Sequence, residues 1–259
     1  MPLFESRIIG NTEVARDYMQ MDFSWPEHVA SPEPGQFLTV RAGAGPVPLL
    51  RRPFGVSAFR SGPDAAASMI YWRRGTGTRI LSGYEPGDSM SVMAPLGVGF
   101  PAPSQGTVPL LVAGGVGIGP ILYFANTLAG SGFHPVLLLG ARTKAYLPTM
   151  AIHPAVQLRL ATDDGSEGFS GTAIDLLRRT IGVTAGTLEL YLCGPDPMLR
   201  AGHYVALEHN IPTWVSMEQT MGCAVGACMG CAVRVTGPDQ YARVCTEGPV
   251  FRSTEIVWE

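Results

Sequence analysis

Cys223, Cys228, Cys231 and Cys245 fall within the last 37 residues of the chain, spaced C-x4-C-x2-C-x13-C. The first three match the plant-type [2Fe–2S] spacing. Four thiolates hold two irons only where the chain folds tightly around them, and Gly222, Gly226 and Gly230 permit the unusual dihedrals this requires. Glycine also lets backbone N–H groups approach the cluster sulfurs, which raises the potential. A structural zinc site is the competing reading. Such sites pair their ligands as two short C-x2-4-C knuckles, whereas here Cys245 stands alone. Five cysteines, four of them clustered, argue against a disulfide framework and for a metal site in a reducing compartment.

A second chemistry is suggested by Val112-Ala113-Gly114-Gly115-Val116-Gly117-Ile118-Gly119-Pro120, which follows an apolar strand and opens a helix. It reads G-x-G-x-x-P. Glycines such as Gly115 and Gly117 let backbone approach a pyrophosphate, and Pro120 suits a first helical turn, where its missing N–H costs nothing. A tight packing turn would look the same. Two further strand ends, Thr162-Asp163-Asp164-Gly165-Ser166 and Cys193-Gly194-Pro195, put small and polar residues where a nucleotide lies in such sheets. The convergence favours a nicotinamide site, with Asp163, Cys193 and Gly194 among its residues. Arg142 and Lys144, after the second strand, are placed to meet a 2′-phosphate or to be solvated surface charges, so spacing leaves NAD against NADP open. Cys193 taken alone reads as a buried small hydrophobe.

A third group is Arg51-Arg52-Pro53-Phe54-Gly55-Val56-Ser57 with Tyr71-Trp72-Arg73-Arg74-Gly75-Thr76-Gly77-Thr78. An arginine beside an aromatic, then a Gly-x-Gly-Thr turn opening a short helix, suits a pyrophosphate and a planar ring. Either segment alone would be an ordinary strand edge or N-cap. His28, His134, His153, His203 and His209 show no ligand spacing and are assigned to structure or surface.

These groups need elements to hold them. Short alternating segments at 4–9, 14–23, 36–41, 53–59, 67–73 and 89–94, punctuated by Glu33-Pro34-Gly35 and Glu85-Pro86-Gly87-Asp88, predict a small antiparallel barrel. After the linker-like Pro101-Ala102-Pro103-Ser104-Gln105-Gly106, apolar strands at 109–113, 136–139, 158–161 and 188–192 alternate with helices at 119–129, 172–180 and 197–208. That alternation predicts an α/β unit with a parallel sheet and ligands at its carboxyl ends. The chain has 259 residues, 46% hydrophobic and 15% charged, ample for two or three packed units. A net charge of −3 without a basic run predicts no nucleic-acid partner. The apolar stretch 108–125 is broken by Pro109, Pro120 and four glycines, which suits strand, turn and helix better than a membrane span. The first residues lack a basic start and apolar run, so a cytoplasmic protein is expected.

In the order barrel, G-x-G-x-x-P unit and cysteine tail, the chain resembles the ferredoxin-NADP reductase superfamily, and within it the electron transfer subunits of dihydroorotate dehydrogenase B. The resemblance rests on Leu50 to Pro53, Gly75 to Thr78, Pro95-Leu96-Gly97 with Gly99-Phe100, Gly114 to Pro120, Thr162 to Ser166, Cys193-Gly194, and the cysteine loop with Cys245 to Phe251. It implies an FAD-binding barrel over residues 1–101, an NAD-binding α/β domain over 102–216 and a [2Fe–2S] domain over 217–259. Arg52 would meet the flavin pyrophosphate, Pro53, Phe54 and Gly55 would line the ring, and Ile70, Tyr71, Trp72, Gly77 and Thr78 would complete the site. The four cysteines of the tail would ligate the cluster. Where the family carries a serine reaching flavin N5, this chain has Gly55, so a backbone N–H or Ser57 would replace the contact, or the flavin potential is shifted. The implied partner is an FMN-containing subunit that oxidises dihydroorotate in pyrimidine (UMP) biosynthesis, two of each subunit, with electrons passing through cluster and FAD to NAD+. No side-chain acid or base is needed for the hydride step. Glu218, just before the cysteine loop, is placed either near the flavin or on the surface, with the surface preferred. Two other readings compete: an NAD(P)H-dependent reductase serving a ferredoxin, a sulfur-reducing complex or an oxygenase, and a non-catalytic scaffold whose cysteines hold zinc.

Overall fold

The computed structural model describes residues 2–43 and 45–258. The alternating segments close into a six-stranded antiparallel barrel of β1 (Leu3–Ala15), β2 (Tyr18–Ser24), β3 (Phe37–Val40), β4 (Arg52–Arg60), β5 (Ala66–Trp72) and β6 (Ser89–Leu96). Its strand order is β1-β2-β5-β4-β3-β6. Inward residues such as Met21, Phe23, Leu38, Val56, Met69 and Val92 are fully buried, and each stabilises the barrel by about 1.5–3 kcal/mol. The expected strand over 14–23 is cut in two by a tight turn at Arg16-Asp17, where Asp17 takes φ 61°. Asp17 is a residue type that tolerates the left-handed region, and the apolar pattern on both sides hides the break. A short helix, α1 (Thr76–Leu81), follows β5.

Beyond Pro101 the alternation of strand and helix gives β7 (Val108–Gly114), α2 (Ile118–Gly130), β8 (Val136–Ala141), β9 (Gln157–Thr162), β10 (Phe169–Ser170), α3 (Ala173–Ile181), β11 (Leu188–Cys193), α4 (Asp196–Glu208) and β12 (Thr213–Ser216). The sheet order is β10-β9-β8-β7-β11-β12-β15, where β15 is Val250–Arg252, parallel throughout except for this last strand. Leu110 to Ala113, Leu137 to Leu139 and Leu190 to Leu192 are buried without alternation, as strands covered on both faces must be. Helix α3 opens with a capping box: Thr172 Oγ1 accepts from Asp175 N at 3.1 Å and Asp175 Oδ2 from Thr172 N at 2.9 Å. Helix α2 is buried nearly all round, because it is wedged between the sheet and the barrel strand β4: Gly119 packs on Ser57 and Pro120 on Gly55.

The cysteine segment has little regular structure: β13 (Ala232–Arg234) pairs with β14 (Tyr241–Arg243), and β15 (Val250–Arg252) pairs antiparallel with β12. This last strand stitches the cysteine segment into the large sheet. No helix among the described residues is long and apolar enough to cross a membrane.

Candidate functional site

Three pieces of chemistry meet around the carboxyl ends of β7, β11 and β12. The first is a cavity of about 650 Å³ between barrel and sheet, within the range of small-molecule sites. Its barrel wall contains Arg52, Pro53, Phe54 and Gly55 from β4, Ile70, Tyr71 and Trp72 from β5, and Gly77 and Thr78 from α1, all expected there from sequence. Arg52 is held by a hydrogen bond from Nη1 to Leu50 O at 2.6 Å, and a Cβ on Gly77 would lie 3.3 Å from its Nε. The glycine therefore lets the guanidinium lie against the start of α1. Thr78 works locally: Oγ1 accepts from Arg74 N and Gly75 N, each at 3.0 Å, and so fixes the turn. Tyr71 donates its hydroxyl to Asn11 Oδ1 at 2.9 Å and packs against Phe54; burial pushes its pKa up to about 12.

Gly55 has a physical reason. A Cβ there would lie 2.3 Å from Pro120 Cγ, so a serine does not fit while α2 stays where it is. Ser57 is no substitute, being buried with its Cβ turned to Gly119 and absent from the cavity wall.

The second piece is a cleft of about 460 Å³ across the strand ends, lined by Gly114, Gly115, Gly140, Asp163 and Gly194 among others. Gly115 has φ +58°. Gly117, expected to face a nucleotide, instead lies under the turn: a Cβ would be 2.3 Å from Cys193 O, so its role is close packing of the glycine turn on the end of β11. Pro120 and Cys193, expected with the nicotinamide, line the barrel-side cavity. Burial pushes the Cys193 thiol far up, with the Glu218 charge adding to it. Lys144 is taken by Glu167, Nζ to Oε2 at 2.8 Å, and does not line the cleft.

Glu218 departs from its assignment to the surface. Its side chain is open to the cleft yet borders both cavities. Desolvation first, then the Asp196 carboxylate, raises its pKa. The sequence hint was its position at the end of the last parallel strand, a place that carries ligands in such sheets.

The third piece is the cysteine loop. Cys223 and Cys228 face each other, as do Cys231 and Cys245. Backbone N–H groups of Val225 and Cys228 donate to Cys223 Sγ, both at 3.4 Å, and Gly226 N donates to Cys245 Sγ at 3.2 Å. Those donors bring Cys223 down to about 6, while burial takes Cys245 up to about 11. Low thiol pKa and donated N–H groups are what thiolate ligation asks for. The glycine expectation needs correction: only Gly226 has positive φ, and the other left-handed positions are Ala224 and Met229. Gly222 and Gly230 serve close approach, a Cβ on either lying 3.3 or 3.5 Å from Cys228 Sγ. Arg243, not singled out from sequence, braces the loop by donating to Gly226 O at 2.9 Å while clamped to Glu247. Cys228 and Met229 are exposed and Cys231 and Cys245 buried, so the loop has one open edge. Met217 to Gln219 and Met221, which lead directly into Cys223, form part of the wall of the first cavity.

The residues present fit the groups that such a site holds: an arginine and a glycine-opened turn for a pyrophosphate, aromatic and apolar walls for a planar ring, and two facing thiol pairs for an iron–sulfur centre. A profile of the iron–sulfur cluster binding domain of dihydroorotate dehydrogenase B matches residues 218–257. The chain is 37% identical over 261 residues, 99% of either protein, to the dihydroorotate dehydrogenase B (NAD(+)) electron transfer subunit of Desulforamulus reducens. It is 40% identical over 232 residues, 87% of each chain, to that of Bacillus caldolyticus. Among solved structures, an NADH-dependent reduced ferredoxin-NADP oxidoreductase superposes with TM-score 0.85 at 29% identity, over 98% of this chain and 90% of that one. The ferredoxin reductase of carbazole 1,9a-dioxygenase shares the fold alone, with TM-score 0.70 and 20% identity over 82% and 68% of the two chains. With near-complete coverage at such identity, and the barrel, sheet and cysteine loop in the same order, the chain belongs to the family of dihydroorotate dehydrogenase B electron transfer subunits.

Proposed function

We propose that this chain carries electrons from a dihydroorotate-oxidising, FMN-containing partner subunit to NAD+ in the cytoplasm, through a [2Fe–2S] centre on Cys223, Cys228, Cys231 and Cys245 and an FAD in the barrel-side cavity. The observation that carries it is continuity: Met217, Glu218, Gln219 and Met221 line the cavity, and the chain runs from Met221 to the first cysteine, Cys223, in two residues. Bound there, the flavin exchanges two electrons with nicotinamide as hydride and passes them singly with the iron–sulfur centre. Arg52 and the Gly75–Thr78 turn hold its diphosphate, Phe54 and Tyr71 flank its ring, and Pro120 with Gly55 sets the wall between the barrel and α2. Gly115, Asp163 and Gly194 line the cleft for NAD. Cys193, buried, lines the barrel-side cavity, and Glu218 borders both cavities. The functional units follow as 1–101 for FAD, 102–216 for NAD and 217–259 for the cluster, with two of this subunit and two of its partner in the complex.

The likeness to an NADH-dependent ferredoxin-NADP oxidoreductase at 29% identity supports a second reading, a flavin and iron–sulfur reductase for another acceptor. Anaerobic co-purification with the FMN subunit, followed by an assay for dihydroorotate-dependent NAD+ reduction, separates them. Activity in the complex is the expected result. A complex that holds flavin and iron and oxidises NADH with an artificial acceptor, yet ignores dihydroorotate, would overturn the pyrimidine assignment and leave the second reading.

A further inference from the structure

The hairpin between β1 and β2 docks on the segment after β8. Arg16 N donates to Ala145 O at 2.9 Å and Thr149 N to Val14 O at 2.9 Å. On this hinge-free contact sits a ladder of cations and rings. Arg74 lies over Trp72 at 5.0 Å, Arg142 over Trp72 at 5.8 Å and over Tyr146 at 5.7 Å, and Arg16 over Tyr146 at 5.6 Å. Tyr18, the cross-strand partner of Trp72, stacks on it at 6.1 Å and meets Tyr146 edge-on at 6.3 Å. A Cβ on Gly115 would lie 3.4 Å from the Tyr18 hydroxyl. The ladder and the glycine turn are therefore one wall of the strand-end cleft, which Tyr18, Trp72, Arg74, Arg142 and Tyr146 all line.

Four other cations have carboxylate partners: Arg73 pairs with Glu13 and Asp17, Lys144 with Glu167, Arg178 with Glu208 and Arg243 with Glu247. Among the described residues no carboxylate pairs with Arg16, Arg74 or Arg142. Two of them, Arg74 and Arg142, line the cleft, on whose wall Asp163 and Glu218 are the carboxylates; in a chain of net charge −3, these guanidiniums make a local site for an anion. Of the three, Arg142 is the one that lies over two rings, Trp72 from the barrel and Tyr146 from the sheet side. A guanidinium stacked in this way keeps its edge N–H groups free for phosphate oxygens, as a lysine ammonium cannot.

We propose that Arg142, steadied by Trp72 and Tyr146, binds the diphosphate bridge of the dinucleotide, so that a barrel residue sets the affinity of a cleft in the other half. This deepens the NAD reading above and rests on it. A 2′-phosphate is the wrong target for this arginine. It shares its wall with the glycine turn, where a diphosphate belongs, and the neighbouring cation that a 2′-phosphate site would need, Lys144, is paired with Glu167 outside the cleft.

The test is calorimetric binding of NADH, NADPH, ADP-ribose and adenosine to the purified complex. Arg142→Ala is expected to weaken NADH and ADP-ribose about tenfold and to leave adenosine within twofold. Arg142→Lys should recover only part of that loss. Trp72 also lines the flavin cavity, so Tyr146→Leu is the cleaner probe of the ladder, and about a threefold weakening with unchanged flavin content is expected. Unaltered ADP-ribose binding in Arg142→Ala, equal weakening of adenosine, or a loss confined to NADPH would each overturn the assignment while the NAD reading stands. Wild-type protein that binds neither NADH nor ADP-ribose would remove the NAD reading and this inference with it.

Discussion

The strand-end cleft and the cysteine loop solve the same problem, holding a ligand against backbone, by opposite means. In the cleft the backbone itself is packed: Gly117 sits against Cys193 O, and a Cβ on Gly140 would meet Ala173 Cβ at 2.6 Å, so the turns hold each other at van der Waals contact. The central strands beneath, β7 and β11, are buried almost throughout, and such a cleft keeps its shape without a ligand. The cysteine loop has two short paired strands and otherwise irregular backbone, left-handed at Ala224, Gly226 and Met229. Non-glycine residues in that region are strained by about 1 kcal/mol or more each. What draws this loop together is N–H donation to thiols and the Arg243 brace. The contrast teaches that one site is a property of the fold, while the other reaches full stability only when metal binding adds its own free energy.

The largest expected effect falls on the loop. Cys228→Ala removes the exposed member of the Cys223–Cys228 pair and is expected to abolish the reduced-cluster EPR signal, with new protease sites confined to residues between 218 and 248. NADH oxidation with an artificial acceptor should persist, because the cleft and the barrel cavity do not use that thiol. Simultaneous loss of flavin and cluster would collapse the contrast, making the two sites one folding unit.

Next comes Gly117→Ala. The added methyl meets backbone that cannot step aside, and a destabilisation of about 3 kcal/mol is expected, at the upper end for overpacking. Chemical denaturation reads it directly. A variant as stable as the parent would mean that the glycine turn is loosely held and that the cleft depends on its ligand after all.

Gly55→Ser sharpens the point at the barrel boundary. The serine Cβ would fall 2.3 Å from Pro120 Cγ, and about 1–3 kcal/mol of stability should be lost. Pro120→Ala removes the offending ring atoms, so the double variant should recover most of the loss. A double-mutant cycle that is simply additive would show that the clash is relieved elsewhere.

Much of this was legible in the sequence and some was not, for physical reasons. Buried parallel strands such as Leu137 to Leu139 are visible as unbroken apolar runs, and the barrel strands as alternation, because burial on two faces or on one leaves those patterns. The residues of the barrel-side cavity were legible as a set through the resemblance of the arginine–aromatic and Gly-x-Gly-Thr segments to the reductase superfamily. The turn at Arg16-Asp17 was hidden, since apolar residues flank it on both sides. The strand β15 was missed because three residues carry no periodic signal. Gly117 was read as facing a ligand when it faces Cys193 O: a glycine pattern marks close approach without saying to what. Glu218 was read as surface because a single carboxylate carries no information about which two cavities its strand end will separate.

The smallest expected effect concerns that carboxylate. Desolvation and the neighbouring Asp196 raise the pKa of Glu218 above the ordinary glutamate value, so its protonated form persists to a pH at which exposed glutamates are already ionised. Glu218 borders the cleft proposed for an anionic dinucleotide. As pH rises through the raised pKa, a negative charge appears beside that ligand and affinity must fall; as pH drops below it, the group is neutral and the penalty disappears. NADH affinity of the complex is therefore expected to weaken a few-fold across that titration, and Glu218→Gln is expected to flatten the step at its low-pH, tighter-binding level. The same substitution should leave the spectrum of the cluster unchanged, because Glu218 stands on the cleft side of the contrast. A step that survives in Glu218→Gln would show that Glu218 is not its source, and a cluster spectrum that shifts with the substitution would show that the two regions are electrostatically one.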